Sequence, residues 1–373
     1  MKHAIVAWTP LHIINSLNIW KNCLSGEELT LFIYNEFANA DLLIDISRKL
    51  VEGLEVIKIN HQNLGGKLAK ISRLYWNKNL IPLDDFDHIY LPGDNYFGRL
   101  LYSSLAAKGH DFHLHYYEDG MGVYLGAKPI EIKNANDALQ KKLNKHSIFH
   151  GQWENCYTYQ PDLVQWHDFS GDLIKIPVLD QSNPAFPLVK AIFSQAYDEE
   201  MSQVTEGSVI YFDQPFKKDG AQIDELTLFN HLKAICDSLN IRIYVKLHPR
   251  SEANKYGRVN YLQTNMPWEI FLLFVDHSHL TLAAMNSTAV FSPYLLYQQR
   301  MPIIMLAGLV DHAIGEKVDE PTKMILTNSL SMAKNFKEIY GPLLQVPENS
   351  KQLEDLLYEI KIKGDQYLNE RIC

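Results

Sequence analysis

The chain has 373 residues, of which 46% are hydrophobic and 21% are charged, and its formal net charge at pH 7 is -9. The length suggests about two to three domains, and the composition is typical of a globular protein with large cores. The acidic balance argues against a general nucleic-acid-binding protein, because such proteins usually carry a basic excess.

The four cysteines, Cys23, Cys156, Cys236 and Cys373, are scattered and form no CxxC pair. We therefore expect neither a zinc site nor a disulfide framework, and a reducing compartment fits. The N-terminal apolar run ends early at Pro10, which is typical of a first strand and not of a signal peptide. No apolar run reaches the about 18 residues of a transmembrane helix. The sequence predicts a cytoplasmic protein and leaves open peripheral association with the inner face of the cell membrane.

Strands and amphipathic helices alternate through the first third of the chain. The predicted strands cover residues 4–8, 29–34, 54–59, 88–91 and 112–116. The predicted helices cover residues 11–23, 39–51, 67–80 and 96–108. This alternation predicts a parallel sheet with helices on both faces. The basic helix at 67–80 fits a solvated face, an anionic acceptor or a membrane surface.

Residues 128–187 are irregular and aromatic, and we expect loops and a last strand of the first sheet there, followed by a linker at 184–207. The alternation then restarts, with strands at 208–212, 241–247, 279–283 and 301–306 and helices at 223–239, 267–274, 289–298 and 351–370. The pattern predicts an α/β protein with two doubly wound Rossmann-type domains, residues 1–190 and 191–373, that face a central cleft. This layout occurs in GT-B glycosyltransferases, some sugar epimerases and two-lobed binding proteins.

The acidic motif Glu118-Asp119-Gly120 follows the predicted strand at 112–116. The carboxyl ends of strands in an open α/β sheet are where ligands bind. A carboxylate there can act as a general base, and a glycine lets the backbone approach a ligand closely. A solvated acidic turn is the alternative explanation for the same residues.

His248 follows the predicted strand at 241–247, and Pro249 fixes the backbone after it. Such a histidine can donate a hydrogen bond to a phosphate or protonate a leaving oxygen, although it can also simply bond to a backbone carbonyl. Lys246, two residues earlier, lies on the same face of the strand.

Ser287 and Thr288 lie between a predicted strand and a predicted helix. Hydroxyls at a helix start can cap the helix, and they can also bind phosphate. Glu269 lies in the first turn of another predicted helix, where it can accept a hydrogen bond from a nucleobase amine.

Together, Glu118-Asp119-Gly120, His248-Pro249 and Ser287-Thr288 resemble the motifs of the bacterial sialyltransferases. The Thr-Pro-Leu-His sequence that starts at Thr9, the Asp213-Gln214-Pro215 segment and the Lys246–Arg250 segment are most similar to glycosyltransferase family 52, the lipooligosaccharide and capsule sialyltransferases. The polysialyltransferase family is a near relative. The first acid is Glu118 instead of aspartate, and the hydroxyl pair is Ser-Thr instead of Ser-Ser.

The resemblance implies inverting, metal-independent transfer of N-acetylneuraminic acid from CMP-Neu5Ac to a terminal galactoside hydroxyl, with an acceptor-binding first domain and a donor-binding second domain. It makes Asp119 the general base and His248 the group that stabilises the departing phosphate. It places Ser287 and Thr288 on that phosphate and Glu269 on the cytidine.

Further donor-binding candidates are Lys246, Pro249 and Gln214. Acceptor-side candidates are Glu118, Gly120, Thr9, His12, Asp94 and Asn95, and turn or capping roles are the alternative explanation for the last four. No cofactor, metal or nucleic acid is expected; an oligomer is compatible with the sequence. The alternatives are a GT-B transferase for another nucleotide sugar, a nucleotide-sugar epimerase and a binding protein without catalysis. The linkage and the acceptor stay open.

Overall fold

The computed structural model describes residues 1–24, 27–51, 53–77, 83–197, 204–262, 266–274, 279–313 and 319–372. The chain divides into two compact units, residues 1–198 and 199–373. Each unit is built on one parallel sheet with helical crossovers, so the prediction of two Rossmann-like α/β domains is confirmed.

The first unit has a seven-stranded sheet in the order β3-β2-β1-β4-β5-β6-β7. Its strands are β1 Lys2–Ala7, β2 Glu28–Tyr34, β3 Leu54–Ile59, β4 His88–Leu91, β5 His113–Tyr117, β6 Trp153–Thr158 and β7 Asp172–Lys175. Its helices are α1 Pro10–Cys23, α2 Ala40–Leu50, α3 Lys67–Trp76, α4 Tyr96–Lys108, α5 Ala135–Leu143 and α6 Phe186–Ala196.

The order of these strands reverses between β1 and β4, which are hydrogen-bonded neighbours, with His3 opposite His88. At such a switch point the chain leaves two adjacent strands in opposite directions, so a crevice opens at their carboxyl ends. The loops after β1, β4 and β5 therefore meet at one edge of the sheet. The central strands are buried on both faces because helices cover them, and Phe32, Leu91 and Phe97 lie in the core.

The second unit has a six-stranded sheet in the order β10-β9-β8-β11-β12-β13. Its strands are β8 Val209–Phe212, β9 Ile243–Lys246, β10 Asn260–Tyr261, β11 Thr281–Ala284, β12 Ile303–Met305 and β13 Leu344–Gln345. Its helices are α7 Glu225–Ser238, α8 Trp268–Phe271, α9 Ser292–Tyr297, α10 Ala307–Ala313, α11 Glu320–Tyr340 and α12 Ser350–Ile372. Here the order reverses between β8 and β11, so the loops after β8, β9 and β11 meet.

Some elements differ from those expected. The segment at 128–187 contains α5 and two strands, β6 and β7, where we predicted loops and one strand. The helix predicted at 289–298 is a 3₁₀ turn, Thr288–Phe291, followed by the short α9. The helix predicted at 67–80 ends at Trp76, and residues 78–80 lie outside the described part of the chain.

The segment predicted as a linker, 184–207, contains α6, and residues 198–203 of it are outside the described residues. Helix α6 packs against α2 and α1, with Val189, Ile192 and Phe193 fully buried. It therefore belongs to the first unit, which ends later in the chain than the expected boundary at 190. None of the helices in the described part of the chain combines the length and the apolar character needed to cross a bilayer.

Candidate active site

Asp119 lies in the loop after β5 and contacts a histidine in the first turn of α1, the helix that follows β1. The Nε2 atom of His12 is hydrogen-bonded to Oδ1 of Asp119. The His12 side chain is fully buried, whereas the Asp119 side chain is 45% exposed. A buried ring thus holds one oxygen of a carboxylate that solvent or a ligand can still reach.

The tautomer of His12 follows from its second ring nitrogen. The backbone N–H of Trp8 donates to Nδ1 of His12 at 3.3 Å. Because Nδ1 accepts this bond, the proton of the neutral ring is on Nε2, where it is donated to Asp119. This arrangement fixes the orientation of the carboxylate.

Local sequence explains how His12 reaches this position. Thr9 is the N-cap of α1, and its hydroxyl accepts the backbone N–H of His12 at 3.2 Å. Pro10 occupies the first helical turn, where its missing N–H costs nothing. Gly120 has φ 85° and ψ -142°, a conformation that is essentially restricted to glycine, so it sets the direction in which the chain leaves Asp119.

Glu118 is buried beneath this site. Its Oε2 accepts hydrogen bonds from the Tyr124 hydroxyl, from the Thr158 hydroxyl at 2.8 Å and from the Tyr159 backbone N–H at 3.0 Å. Burial raises the pKa of Glu118 to about 7, against the opposing effect of these three bonds. Its backbone carbonyl accepts from the Asn15 amide at 2.9 Å. Glu118 therefore ties the loop to the core, and its carboxylate is buried among protein donors.

The loop after β4 carries two further acceptor-side candidates. Asp94 receives the Arg99 guanidinium, with Nε 2.6 Å from Oδ1, so it serves an ion pair within the first unit. Asn95 caps α4 by accepting the Gly98 backbone N–H at 2.6 Å. Among the described residues, the buried Nδ2 of Asn95 has no hydrogen-bond partner. This amide is a spare donor at the same edge of the sheet as Asp119.

In the second unit, a buried acid pair shares one lysine. Asp213 follows β8 and Glu225 begins α7, and Lys255 Nζ donates to Oδ1 of Asp213 at 2.7 Å and to Oε2 of Glu225. Burial alone would raise the pKa of Asp213, but the hydrogen bonds from Lys255, Tyr256 and the His248 backbone bring it below its ordinary value. Burial raises the pKa of Glu225.

This charged cluster anchors the histidine turn. Oδ2 of Asp213 accepts the backbone N–H of His248 at 3.0 Å. The carbonyl of His248 then accepts the Ser251 N–H at 2.8 Å, which closes a turn with Pro249 at its second position. Pro249 thus stiffens a turn that Asp213 fastens to the neighbouring strand.

The His248 ring is half-buried, and its Nδ1 accepts the backbone N–H of Arg250 at 3.1 Å. Its neutral form therefore carries the proton on Nε2. Burial, followed by the positive charge of Arg250, lowers the pKa of His248. Within the described residues, Nε2 of His248 has no protein acceptor, so it is a neutral N–H donor at a strand end.

The remaining donor-side candidates lie on neighbouring loops. Lys246 Nζ donates to the Met266 carbonyl at 3.0 Å, and the Lys246 charge also acts on Glu269. Burial raises the pKa of Glu269, whose Oε1 accepts from the Ser292 hydroxyl at 3.3 Å. Gln214 is held by its backbone, because its N–H donates to Glu225 and its carbonyl accepts from Lys255, both at 2.8 Å.

Ser287 and Thr288 follow β11, which pairs with β8. Ser287 is nearly buried and Thr288 is exposed. Ser287 precedes the 3₁₀ turn but makes no side-chain capping bond there. In the described chain neither hydroxyl makes a hydrogen bond to protein. The capping explanation for Ser287 is therefore wrong, and its hydroxyl stays available to a ligand.

Several important side chains carried no signal in the sequence. Lys255, Glu225 and the Tyr124–Thr158 pair were not among the predicted residues, since their partners are distant in the chain. Among the described residues, no group of three His, Cys, Asp or Glu side chains is arranged to hold a metal ion.

Comparison with known proteins yields one family. The family model described as Alpha-2,8-polysialyltransferase (POLYST) matches residues 48–301. The matched range contains the acidic motif, His248-Pro249 and Ser287-Thr288, and it begins after Thr9 and His12. No curated protein matches the chain.

Solved structures with a similar fold include two UDP-GlcNAc 2-epimerases. The Neisseria meningitidis enzyme bound to UDP-GlcNAc is 12% identical with a TM-score of 0.47, over 97% of this chain and 100% of that one. The Methanocaldococcus jannaschii enzyme in complex with UDP-GlcNAc and UDP is 12% identical with a TM-score of 0.46, over the same shares. A spinosyn rhamnosyltransferase complexed with thymidine diphosphate is 11% identical with a TM-score of 0.44, over 98% and 96%. Similarity at this level does not identify a substrate.

Proposed function

The chain belongs to the alpha-2,8-polysialyltransferase family, and from this membership and its two sites we propose that it transfers N-acetylneuraminic acid from CMP-Neu5Ac to a glycan hydroxyl. The observation that carries the proposal is the position of the family match, which spans the acidic motif, the histidine turn and the hydroxyl pair. Assignment to glycosyltransferase family 52 stays a prediction.

In the proposed reaction the acceptor hydroxyl attacks the anomeric carbon of the sialic acid. A carbon–oxygen bond forms to the acceptor while the bond to the phosphate of CMP breaks. The hydroxyl proton passes to Asp119, and the electron pair of the broken bond leaves with CMP. Such a single displacement inverts the configuration at the anomeric carbon.

Asp119 suits the role of general base because one oxygen is fixed by His12 and the side chain is accessible. A base held in position typically contributes about 10²–10⁴-fold to the rate. His12 acts through Asp119, and Thr9 and Gly120 set the loop geometry. Among the acceptor-side candidates, Asn95 has an Nδ2 atom without a hydrogen-bond partner in the described residues.

His248 suits the leaving group because its neutral Nε2–H can donate to a phosphate oxygen as negative charge develops there. We assign the Ser287 and Thr288 hydroxyls to the same phosphate. Glu269 and Lys246 would bind the cytidine, and the backbone around Gln214 and Pro249 would shape that site. The reaction is proposed to need neither cofactor nor metal ion.

The family description favours the 8-hydroxyl of a terminal sialic acid as acceptor over the galactoside hydroxyl expected from the sequence. The experiment that tests both is to incubate the protein with CMP-Neu5Ac and either an α2,8-linked sialyl oligosaccharide or lactose. We expect free CMP and an elongated sialyl product in the first mixture, with or without EDTA. An EDTA-sensitive rate would overturn metal independence.

Asp119→Asn is the matched variant for the chemical step. We expect a turnover at least about 10²-fold lower with CMP affinity nearly unchanged. Wild-type turnover by this variant would refute the base assignment. Turnover of UDP-sugars but not of CMP-Neu5Ac would refute the donor assignment, as would epimerisation without transfer.

A further inference from the structure

Two adjacent helices of the first unit expose large apolar side chains. On α3, Leu68 is 83% exposed and Trp76 is 55% exposed, and on α5 both Leu139 and Leu143 are exposed. Leu68 and Trp76 are eight residues apart, and Leu139 and Leu143 are four apart, so each pair lies on one stripe of its helix. No residue of α3 is fully buried. We call the outer surface of α3 and α5 the α3–α5 face.

The two helices form one surface because they are bonded to each other. The Tyr75 hydroxyl donates to the Asn136 carbonyl at 3.1 Å. Nδ2 of Asn144 donates to the Leu74 carbonyl at 2.7 Å, and Nδ2 of Asn77 donates to Oδ1 of Asn144 at 2.9 Å. The two helices therefore lie side by side, and each of them exposes apolar side chains.

The same surface is basic although the whole chain carries a net charge of -9. Lys67, Lys142 and Lys145 are exposed, and none of them has a carboxylate partner within the described residues. The one acid of the two helices, Asp137, is buried and bonded to Arg99 at 3.0 Å, so it does not neutralise the surface.

From this combination we propose that the α3–α5 face docks on a bilayer surface that contains anionic lipids. Basic residues beside exposed leucine and tryptophan are the pattern of helices that lie in the interface, because the cations meet the headgroups and the apolar side chains enter the acyl boundary. A soluble acidic polymer would attract the lysines but would leave Leu68 and Trp76 in water. On a chain whose net charge is -9, a locally basic face is a surface that an anionic membrane attracts.

Sedimentation with vesicles tests the proposal without depending on transferase activity. The wild-type protein should bind vesicles of phosphatidylcholine and phosphatidylglycerol more strongly than vesicles of phosphatidylcholine alone, and salt should weaken the binding. The double variant Lys67→Glu/Lys142→Glu should lower the partition coefficient by about thirtyfold or more. The variant Leu68→Ser/Trp76→Ser should lower it as well, while its rate on a soluble acceptor is unchanged.

The matched control is Lys323→Glu/Met324→Ser, which removes an exposed lysine and an exposed methionine from α11. It should bind vesicles like the wild type. Brominated lipids should quench tryptophan fluorescence in the wild type and much less in Trp76→Phe.

Three results would overturn the proposal. One is equal vesicle binding by the wild type and both face variants. Another is loss of binding by the α11 control to the same extent. The third is that vesicles sediment no protein, while the wild type binds heparin and the variant Lys67→Glu/Lys142→Glu does not.

Discussion

Each unit buries a carboxylate behind the strand end of its candidate site, but the two carboxylates have different partners. Glu118 in the first unit receives two hydroxyls and one backbone N–H, all of them neutral. Asp213 in the second unit contacts the ammonium of Lys255 as well as a hydroxyl and a backbone N–H. The pKa of Glu118 is raised to about 7, while that of Asp213 is lowered.

Three neutral donors leave the pKa of the buried Glu118 raised, whereas the hydrogen bonds to Asp213, among them that from Lys255, lower its pKa. Glu225 shares Lys255 with Asp213, but burial still raises its pKa. The loop that holds Asp119 therefore rests on a group that changes charge near neutral pH. The turn that holds His248 rests on Asp213, whose pKa is lowered.

The largest expected effect comes from removing the cation. Lys255→Met leaves Asp213 and Glu225 buried without their shared partner, so the free energy of unfolding of the second unit should fall by about 3–5 kcal/mol. Chemical denaturation measures the change. The control Lys233→Met breaks the exposed pair with Asp237 and should cost no more than about 0.5 kcal/mol. If Lys255→Met and Lys233→Met lost the same free energy of unfolding, Lys255 would not be a special partner of the buried acids.

The next effect concerns Glu118 and pH. The pKa of its carboxyl is 4.5 when unperturbed and about 7 in the fold, so the folded state holds the proton more tightly. This tighter proton binding adds to the free energy of unfolding. The added stability is complete below pH 4.5 and is lost as the pH rises toward 7, by at most roughly 3 kcal/mol. Glu118→Gln keeps a neutral side chain and should flatten this dependence. Unfolding free energies of both proteins at pH 5 and pH 8 measure it, and parallel pH curves would contradict it.

A smaller effect is expected from His12. His12→Phe removes the donor that orients Asp119, so kcat should fall about 10–10²-fold while CMP affinity is kept. His12→Gln, which retains an N–H donor, should recover part of the loss. In the Asp119→Asn background the His12 substitution should add little, because the two residues act as one unit. Additive losses would show that His12 acts independently of Asp119.

The smallest effect is expected on CMP affinity, which depends on Ser287 and not on the general base Asp119. Ser287→Ala should weaken CMP binding roughly tenfold, because a hydrogen bond to a charged phosphate is lost. Isothermal titration measures this affinity. Ser238→Ala, which removes a hydroxyl bonded to the Ile235 carbonyl in α7, serves as the control. An unchanged affinity for CMP in Ser287→Ala would remove this residue from the donor site.

Much of the fold was predictable because buried parallel strands and amphipathic helices have distinct periodicities. The predicted strand at 54–59 and helix at 96–108 match β3 and α4 at both ends. Strands β10 and β13 have two residues each, too few for a period, and β7 is largely exposed, so it lacks an apolar run.

The candidate sites were predictable as strand ends but not as sets of contacts. The positions of Asp119 and His248 follow from the strands before them. The bond between His12 and Asp119 joins residues 107 apart, and that between Asp213 and Lys255 joins residues 42 apart. Such pairs depend on how the loops pack after folding, which the order of residue types does not encode locally.

Helix α6 has a practical consequence for dissecting the protein. A fragment that stops at residue 190 would keep Val189 but cut the helix before Ile192 and Phe193, which are fully buried. Losing each of these side chains costs about 1.5–3 kcal/mol of hydrophobic stabilisation. Cutting the helix also uncovers part of α2, against which α6 packs. Independent expression of the first unit therefore has to extend through Tyr197, and a shorter fragment should aggregate through that uncovered surface.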